Sequence, residues 1–303
     1  MNNKIFSGIM PALVTPFDEH ENLIKHTVRE LMDWQLSKGI QGFYICGNTG
    51  EGTILSTKTR MEMAETVMDN INGKGVIIDH IMASNFHETI VLAKHAEKVG
   101  VQAISALAPM YFFQHNEDEL VNYYKEIAEA VSIPLLVYAT PQINSVNLTN
   151  LIQRLMEVPN ICGLKFTRPS YYELHKLTEL NDGNINVING PDEMLICGLL
   201  MGADGGIGST YNLMAEGFVS LYNSFCQGDI KSAREMQFKI NRVIDVMIKH
   251  DALNSGKFML SELGFDIGYS AFPRKRFEDA EKEEILIELR EAGFFRNFAL
   301  DRQ

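Results

Sequence analysis

With 303 residues, 46% hydrophobic and 22% charged, the chain has the composition of a globular protein of one large domain or two small ones. Its formal charge of −12 excludes the broad basic face that nucleic-acid backbones require, but leaves room for a local pocket that binds a small anion. No apolar run approaches the roughly 20 residues of a membrane span, and the first residues lack the apolar stretch of a signal peptide. The four cysteines (46, 162, 197 and 226) stand apart with no CxxC pair, the pattern of reduced core thiols in a cytosolic protein.

Along the chain a short apolar run, a loop and a helical pattern recur. Residues 8–15 read as a strand. A helix with Val28, Leu31, Met32 and Leu36 on one face follows, and Gly39 lies past its end. Residues 42–46 are the second strand, which runs into Gly47-Asn48-Thr49-Gly50-Glu51-Gly52; a helix opens near Ser56. Residues 76–81 and 103–108 are the third and fourth strands. Asn116 and Glu119 then have capping-box spacing ahead of a stripe of Leu120, Tyr124, Ile127 and Val131. Residues 135–139 are the fifth strand, followed by a helix across 148–157. The sixth strand is 161–167, the seventh 185–189, and 205–209 a glycine-rich eighth.

Eight such alternations predict a (β/α)8 barrel, a TIM barrel, over residues 1–227, with a doubly wound open sheet as the alternative. Residues 228–303 read as a C-terminal helical segment with stripes at Met236, Ile240, Val243 and Met247 and again near 280–293. So apolar a segment must cover the barrel wall, the site entrance or a second subunit.

The sixth strand carries the most informative residue. Ile161-Cys162-Gly163-Leu164-Lys165-Phe166-Thr167 is an apolar run broken by one lysine, where buried parallel strands are normally unbroken. Burial disfavours an ammonium, and a lysine that sheds its proton is an amine nucleophile. In a barrel of this kind the active site lies at the C-terminal strand ends. The polar residues there are Asn48, Thr49, Asp79, His80, Tyr111, Tyr138, Lys165, Thr167, Asn189, Asp192, Glu193, Ser209 and Thr210. Strands five and six are neighbours at about 4.8 Å, so Tyr138 and Lys165 face one cavity. That pairing suits Schiff-base chemistry on a carbonyl substrate, with the phenol moving protons.

The 47–52 loop reads equally as a carboxylate nest or a glycine-rich turn. Glu51 reads as a helix-entry carboxylate or as an acid–base group, and the 202–208 glycines as tight barrel packing. No H-E-x-x-H or cysteine cluster suggests a metal. Asp79 and His80, adjacent in a strand, point to opposite faces and make a poor chelating pair.

Four motifs together are specific: Gly47-Asn48-Thr49-Gly50-Glu51, Tyr138-Ala139-Thr140-Pro141, Gly163-Leu164-Lys165, and residues 202–212 from Gly202 to Asn212. With Gly8 to Phe17 and the C-terminal helices, they make nearly the whole chain resemble the pyruvate-dependent class I aldolases, the family of dihydrodipicolinate synthase and N-acetylneuraminate lyase. Residues 189–193 and 202–212 resemble the lyase branch most. The resemblance implies cleavage of N-acetylneuraminate to N-acetylmannosamine and pyruvate, without coenzyme or metal, by a cytoplasmic homotetramer. It further implies that Lys165 forms the Schiff base, that Tyr138 transfers protons, and that Asn48 and Thr49 bind the pyruvyl carboxylate, Thr49 also serving the proton relay. Tyr111 would reach into a neighbouring subunit's site. Thr167, Gly190, Asp192, Glu193 and Ser209 would contact the sugar-derived chain.

Asn48 stands where the lyases usually have Ser or Thr, and Ala139 where Asn follows the tyrosine. Ile143 stands where dihydrodipicolinate synthases have an arginine, which argues against that reaction. A 2-keto-3-deoxy sugar acid substrate and a ligand-binding protein without turnover remain the alternatives.

Overall fold

The computed structural model describes residues 4–109 and 114–299, so Tyr111 lies outside the described residues. Eight parallel strands run in the order β1-β8-β7-β6-β5-β4-β3-β2. They are β1 (Gly8–Pro11), β2 (Gly42–Ile45), β3 (Val76–His80), β4 (Ala103–Leu107), β5 (Leu135–Ala139), β6 (Ile161–Phe166), β7 (Asn186–Asn189) and β8 (Gly205–Gly208). Beyond β1 the chain closes the ring: Ala12 bridges to Tyr44, and the Leu13 amide donates to the Tyr44 carbonyl at 2.8 Å. The first strand is therefore shorter than the 8–15 expected, because residues 12–15 leave the regular ladder to make this closure.

Every strand residue is buried except Val76, which is half-buried, as expected of a sheet covered on one face by helices and packed on the other by its own side chains. The helices are α1 (Lys25–Ser37), α2 (Thr57–Ile71), α3 (Phe86–Val99), α4 (Glu117–Glu129), α5 (Leu148–Leu155), α6 (Tyr171–Thr178), α7 (Leu195–Leu200) and α8 (Tyr211–Cys226). The five running from α2 to α6 each open on a serine or asparagine side chain that accepts a first-turn amide: Ser56, Asn85, Asn116, Asn147 and Ser170. The capping box at Asn116 and Glu119 forms.

After the barrel come α9 (Ile230–Lys249), α10 (Ala252–Glu262), α11 (Asp279–Glu291) and α12 (Phe294–Phe298). α9 packs along α8, and α12 seats Phe298 on Gly217, where a Cβ would meet its ring at 2.6 Å. Among the described residues no helix is long and apolar enough to cross a membrane.

Candidate active site

The barrel's inward positions converge on Lys165. It pairs in register with Tyr138 on β5 and Ile188 on β7, and only 5% of it is exposed. Its Nζ lies 4.3 Å from the Tyr138 ring centroid and 4.3 Å from that of Tyr44. Two ring faces hold the nitrogen in place. Among the described residues it makes no hydrogen bond or ion pair, so no carboxylate ties up its charge or its lone pair.

Sequence reasoning missed Tyr44. Tyr44 stands inside β2 rather than at its end, and an aromatic there reads as core. The available signal was the two-residue alternation, which puts Tyr44 in register with inward positions. Its hydroxyl hydrogen-bonds the Ser105 hydroxyl at 3.1 Å, and burial raises its pKa well above the usual phenol value. Tyr44 is thus a fixed neutral wall.

His80 completes this layer, its ring 5.9 Å from Tyr138 and 6.1 Å from Tyr44. Its Nδ1 donates to the Cys46 carbonyl at 3.1 Å, and its Nε2 accepts from the Leu107 amide at 3.3 Å. Burial first, then the nearby Arg60 and Lys165 charges, push its pKa down to about 3, and the backbone bond to Cys46 opposes them. The imidazole is therefore neutral and adds no repulsion beside Lys165. Asp79 faces the opposite way, toward Cys46 and Arg60 on α2.

At the strand ends the 47–52 loop is tightly packed. A Cβ on Gly47 would lie 2.5 Å from the Tyr44 ring, and one on Gly52 would lie 1.9 Å from the Cys46 carbonyl. The Thr15 hydroxyl donates to the Gly50 carbonyl at 2.7 Å. Among the described residues no partner takes the backbone N–H of Asn48 or Thr49, and both residues line a cavity of about 300 Å3. Packing demands the glycines, as the turn reading expects, and the turn leaves the Asn48 and Thr49 amides without a partner among the described residues, which is what the nest reading requires. Glu51 is neither a helix-entry cap nor an acid–base group. It is buried, ion-paired to Lys257 on α10 at 2.7 Å, and accepts from the Ala271 amide at 2.7 Å.

A second cavity, of about 660 Å3, is lined by Thr167, Gly190, Asp192, Glu193 and Ser209, with Ile244 and Ile248 of α9 opposite. Ser209 and Ala252 line both cavities. The Thr167 hydroxyl oxygen is buried without a partner among the described residues, and a Cβ on Gly190 would lie 1.9 Å from it. Asp192 is buried and accepts from the Thr210 amide and hydroxyl, both at 2.7 Å. Burial raises its pKa to about 6; these hydrogen bonds and the Lys165 charge oppose that rise. Glu193 is exposed. The turn that bears these two carboxylates is clamped from α9: Gln237 donates to the Asp192 carbonyl and Asn241 to the Glu193 carbonyl, each at 3.1 Å.

The glycines of β8 are packing residues, since a Cβ on Gly205 would lie 2.2 Å from the Gly8 carbonyl and one on Gly208 would lie 1.9 Å from Asp192 Oδ1. Asn189 serves the β7 turn, accepting from Tyr171 and donating to the Pro191 carbonyl. His250, Glu284 and Glu288 place possible metal-ligating atoms within 4.8 Å of one another, but Lys249 already pairs with both carboxylates.

The dihydrodipicolinate synthetase family pattern matches residues 5–292. The chain belongs to this family. Within the dihydrodipicolinate synthetase family it is 36% identical, over 94% of its length and 93% of the relative's, to "N-acetylneuraminate lyase" of Rhizobium meliloti (strain 1021). It is 34% identical, over 86% of its length and 85% of the relative's, to "N-acetylneuraminate lyase 2" of Escherichia coli O6:H1. Among solved structures it is similar to Proteus mirabilis N-acetylneuraminate lyase, with a TM-score of 0.90 and 28% identity over 95% of this chain and 99% of that one. Ruminococcus gnavus sialic acid aldolase gives 0.91 and 27% over 97% and 99%.

Proposed function

We propose that this protein is a carbon–carbon lyase that cleaves N-acetylneuraminate to N-acetylmannosamine and pyruvate through a Schiff base on Lys165. The observation that carries the reading is the Lys165 amine against Tyr138, in register on adjacent strands and without a hydrogen bond or ion pair among the described residues. The names of the relatives and structural neighbours support the substrate.

In the reaction the Lys165 amine adds to the C2 carbonyl of the open-chain substrate and expels water, leaving an iminium. Asn48 and Thr49 hold the adjacent carboxylate with their amides and side chains, which orients C3 and C4 over the site. A proton leaves the C4 hydroxyl to Tyr138, with Thr49 in the relay. The C3–C4 electron pair flows into the iminium, C4 becomes the aldehyde carbon of N-acetylmannosamine, and an enamine remains. Protonation at C3 and addition of water then release pyruvate and the free amine. Thr167, the Gly190 backbone, Asp192, Glu193 and Ser209 receive the polyol chain, whose hydroxyls donate to carboxylates and accept from Thr167 and Ser209.

Borohydride reduction with pyruvate, followed by peptide mapping, tests the reading. One reduced pyruvyl adduct on Lys165 is expected, with N-acetylneuraminate cleaved faster than 2-keto-3-deoxy sugar acids; no adduct, or one on another lysine, would sink it. Tyr138→Phe should separate the steps. Its kcat is expected to fall on the order of 10²–10⁴-fold, the usual loss when a positioned proton-transfer group is removed, while pyruvate still traps at Lys165. Retained kcat would take the proton transfer away from Tyr138.

The working form is proposed to be a cytoplasmic homotetramer in which Tyr111 serves a neighbouring site. Light scattering during turnover should report four chains; a fully active monomer would end that relay.

A further inference from the structure

Nothing local caps the helix behind the turn that bears Asp192 and Glu193. A single 3-10 turn, Asp192–Met194, leads straight into α7, which opens on Met194, a residue with no side-chain cap to offer. By contrast, α2 to α6 all open on a serine or asparagine that accepts a first-turn amide. For α7 the acceptor comes from a distant segment. Gln237 of α9 is 2% exposed, and its Oε1 accepts the first-turn amide of Ile196 at 3.1 Å. Its Nε2 donates to the Asp192 carbonyl at 3.1 Å and to Asn241 Oδ1 at 2.8 Å. Asn241 Nδ2 donates in turn to the Glu193 carbonyl at 3.1 Å. The Gln237 amide fits one way only, because its oxygen faces an N–H and its nitrogen faces two oxygens.

The same face of α9 continues into the cavity. Gln237, Asn241, Ile244 and Ile248 lie at i, i+4, i+7 and i+11, one stripe of a helix. The first two hold the main chain of the carboxylate turn, and the last two line the cavity that Asp192 and Glu193 also line. One helix therefore sets both the position of the carboxylates and the wall across from them. The Asp192 carboxylate is held separately, by Thr210 past β8.

We propose that Gln237 is a positioning residue for substrate choice: by capping α7 from α9, it fixes the Asp192–Glu193 turn at the spacing that accepts a polyhydroxylated aldehyde. The inference rests on the reading of Asp192 and Glu193 as contacts of the polyol chain. Removing the Gln237 amide releases the main chain of the turn while Thr210 still holds the Asp192 carboxylate. The carboxylates then meet the hydroxyls of the chain less well. Capture of pyruvate by Lys165, on β6, does not depend on these bonds.

The test is condensation of pyruvate with N-acetylmannosamine, and with glyceraldehyde as a short aldehyde, by wild type, Gln237→Met and Asn241→Ala. Gln237→Met keeps the length of the side chain and loses its hydrogen bonds. Its KM for N-acetylmannosamine should rise about tenfold, while KM for pyruvate and borohydride trapping at Lys165 stay within about twofold of wild type. The preference for N-acetylmannosamine over glyceraldehyde, as a ratio of kcat/KM values, should fall by a similar factor. Asn241→Ala loses only the hold on Glu193 and the link to Gln237, and should raise the same KM about threefold. A purely structural role would raise both KM values together or lower kcat on both aldehydes alike. Either result overturns the proposal, as does an unchanged preference. If Gln237→Met fails to fold, Asn241→Ala decides alone: a rise confined to N-acetylmannosamine supports the proposal, and an equal or absent one overturns it. A wild type that traps pyruvate at Lys165 but does not condense it with N-acetylmannosamine overturns the polyol reading and this proposal with it. Absence of any pyruvate adduct overturns the lyase reading itself, and the proposal falls with that reading.

Discussion

Lys165→Ala is expected to abolish pyruvate trapping and to lower kcat on the order of 10⁴-fold or more, because among the described residues no other group on the inward layer can form an iminium. Tyr44, Tyr138, Ser105 and neutral His80 line that layer, and none carries an amine. The variant should keep its fold: the ammonium makes no ion pair among the described residues, and truncation leaves two ring faces that can close toward each other. Product formation by coupled assay and adduct mass by peptide mapping read the two effects separately. Activity within tenfold of wild type would mean that the electron sink is elsewhere.

Lys257→Met is expected to destabilise the protein by about 3–5 kcal/mol, as happens when one partner of a buried ion pair is removed. Lys257 is enclosed, and besides Glu51 its ammonium serves the carbonyls of Thr15 at 3.1 Å and Tyr269 at 2.6 Å. Removing it strands the Glu51 carboxylate, which retains only the Ala271 amide. The double variant Glu51→Gln/Lys257→Met should recover most of the loss, since no isolated buried charge remains. Urea unfolding at one fixed protein concentration measures both variants. A single-variant loss below about 1 kcal/mol would show that solvent reaches the pair. Because the pair joins the loop bearing Asn48 and Thr49 to α10, Lys257→Met should also raise KM for pyruvate.

Much of this architecture was legible in the chain. Parallel strands buried on both faces read as apolar runs, and most of the eight stood out as such, β8 being marked instead by its glycines. Lys165 was conspicuous as a lone cation in such a run, but a strand-end lysine that snorkels to water explains the run alone more readily; its pairing with Tyr138 on the neighbouring strand is what pointed to chemistry. What escaped was of three kinds. Tyr44 hid because an inward tyrosine in a strand reads as core. The helix α10 hid because it buries Asn254, Ser255, Gly256 and Lys257 in succession, which erases the apolar stripe that periodicity detects. The pairing of Glu51 with Lys257 and the clamp of Gln237 on Asp192 join distant segments, and no local spacing encodes such contacts. Asp192 was legible as a cavity carboxylate. Its bonds to Thr210, which fix the turn between β7 and β8, were not.

The helices after the barrel contribute Ile244, Ile248, Ala252 and Leu253 to the two cavities, whereas Lys165 and Tyr138 belong to the strands. On the proposed reading, bond-making is written in the strands alone, whereas aldehyde choice is shared between the strand-end residues Thr167, Gly190, Asp192, Glu193 and Ser209 and the helical stretch 244–253. Substitutions confined to residues 244–253 can retune which carbonyl partner is accepted while the amine that captures pyruvate stays untouched. A single ancestral catalyst could diversify its diet in this way, and a laboratory can repeat the experiment by exchanging only that helical hairpin.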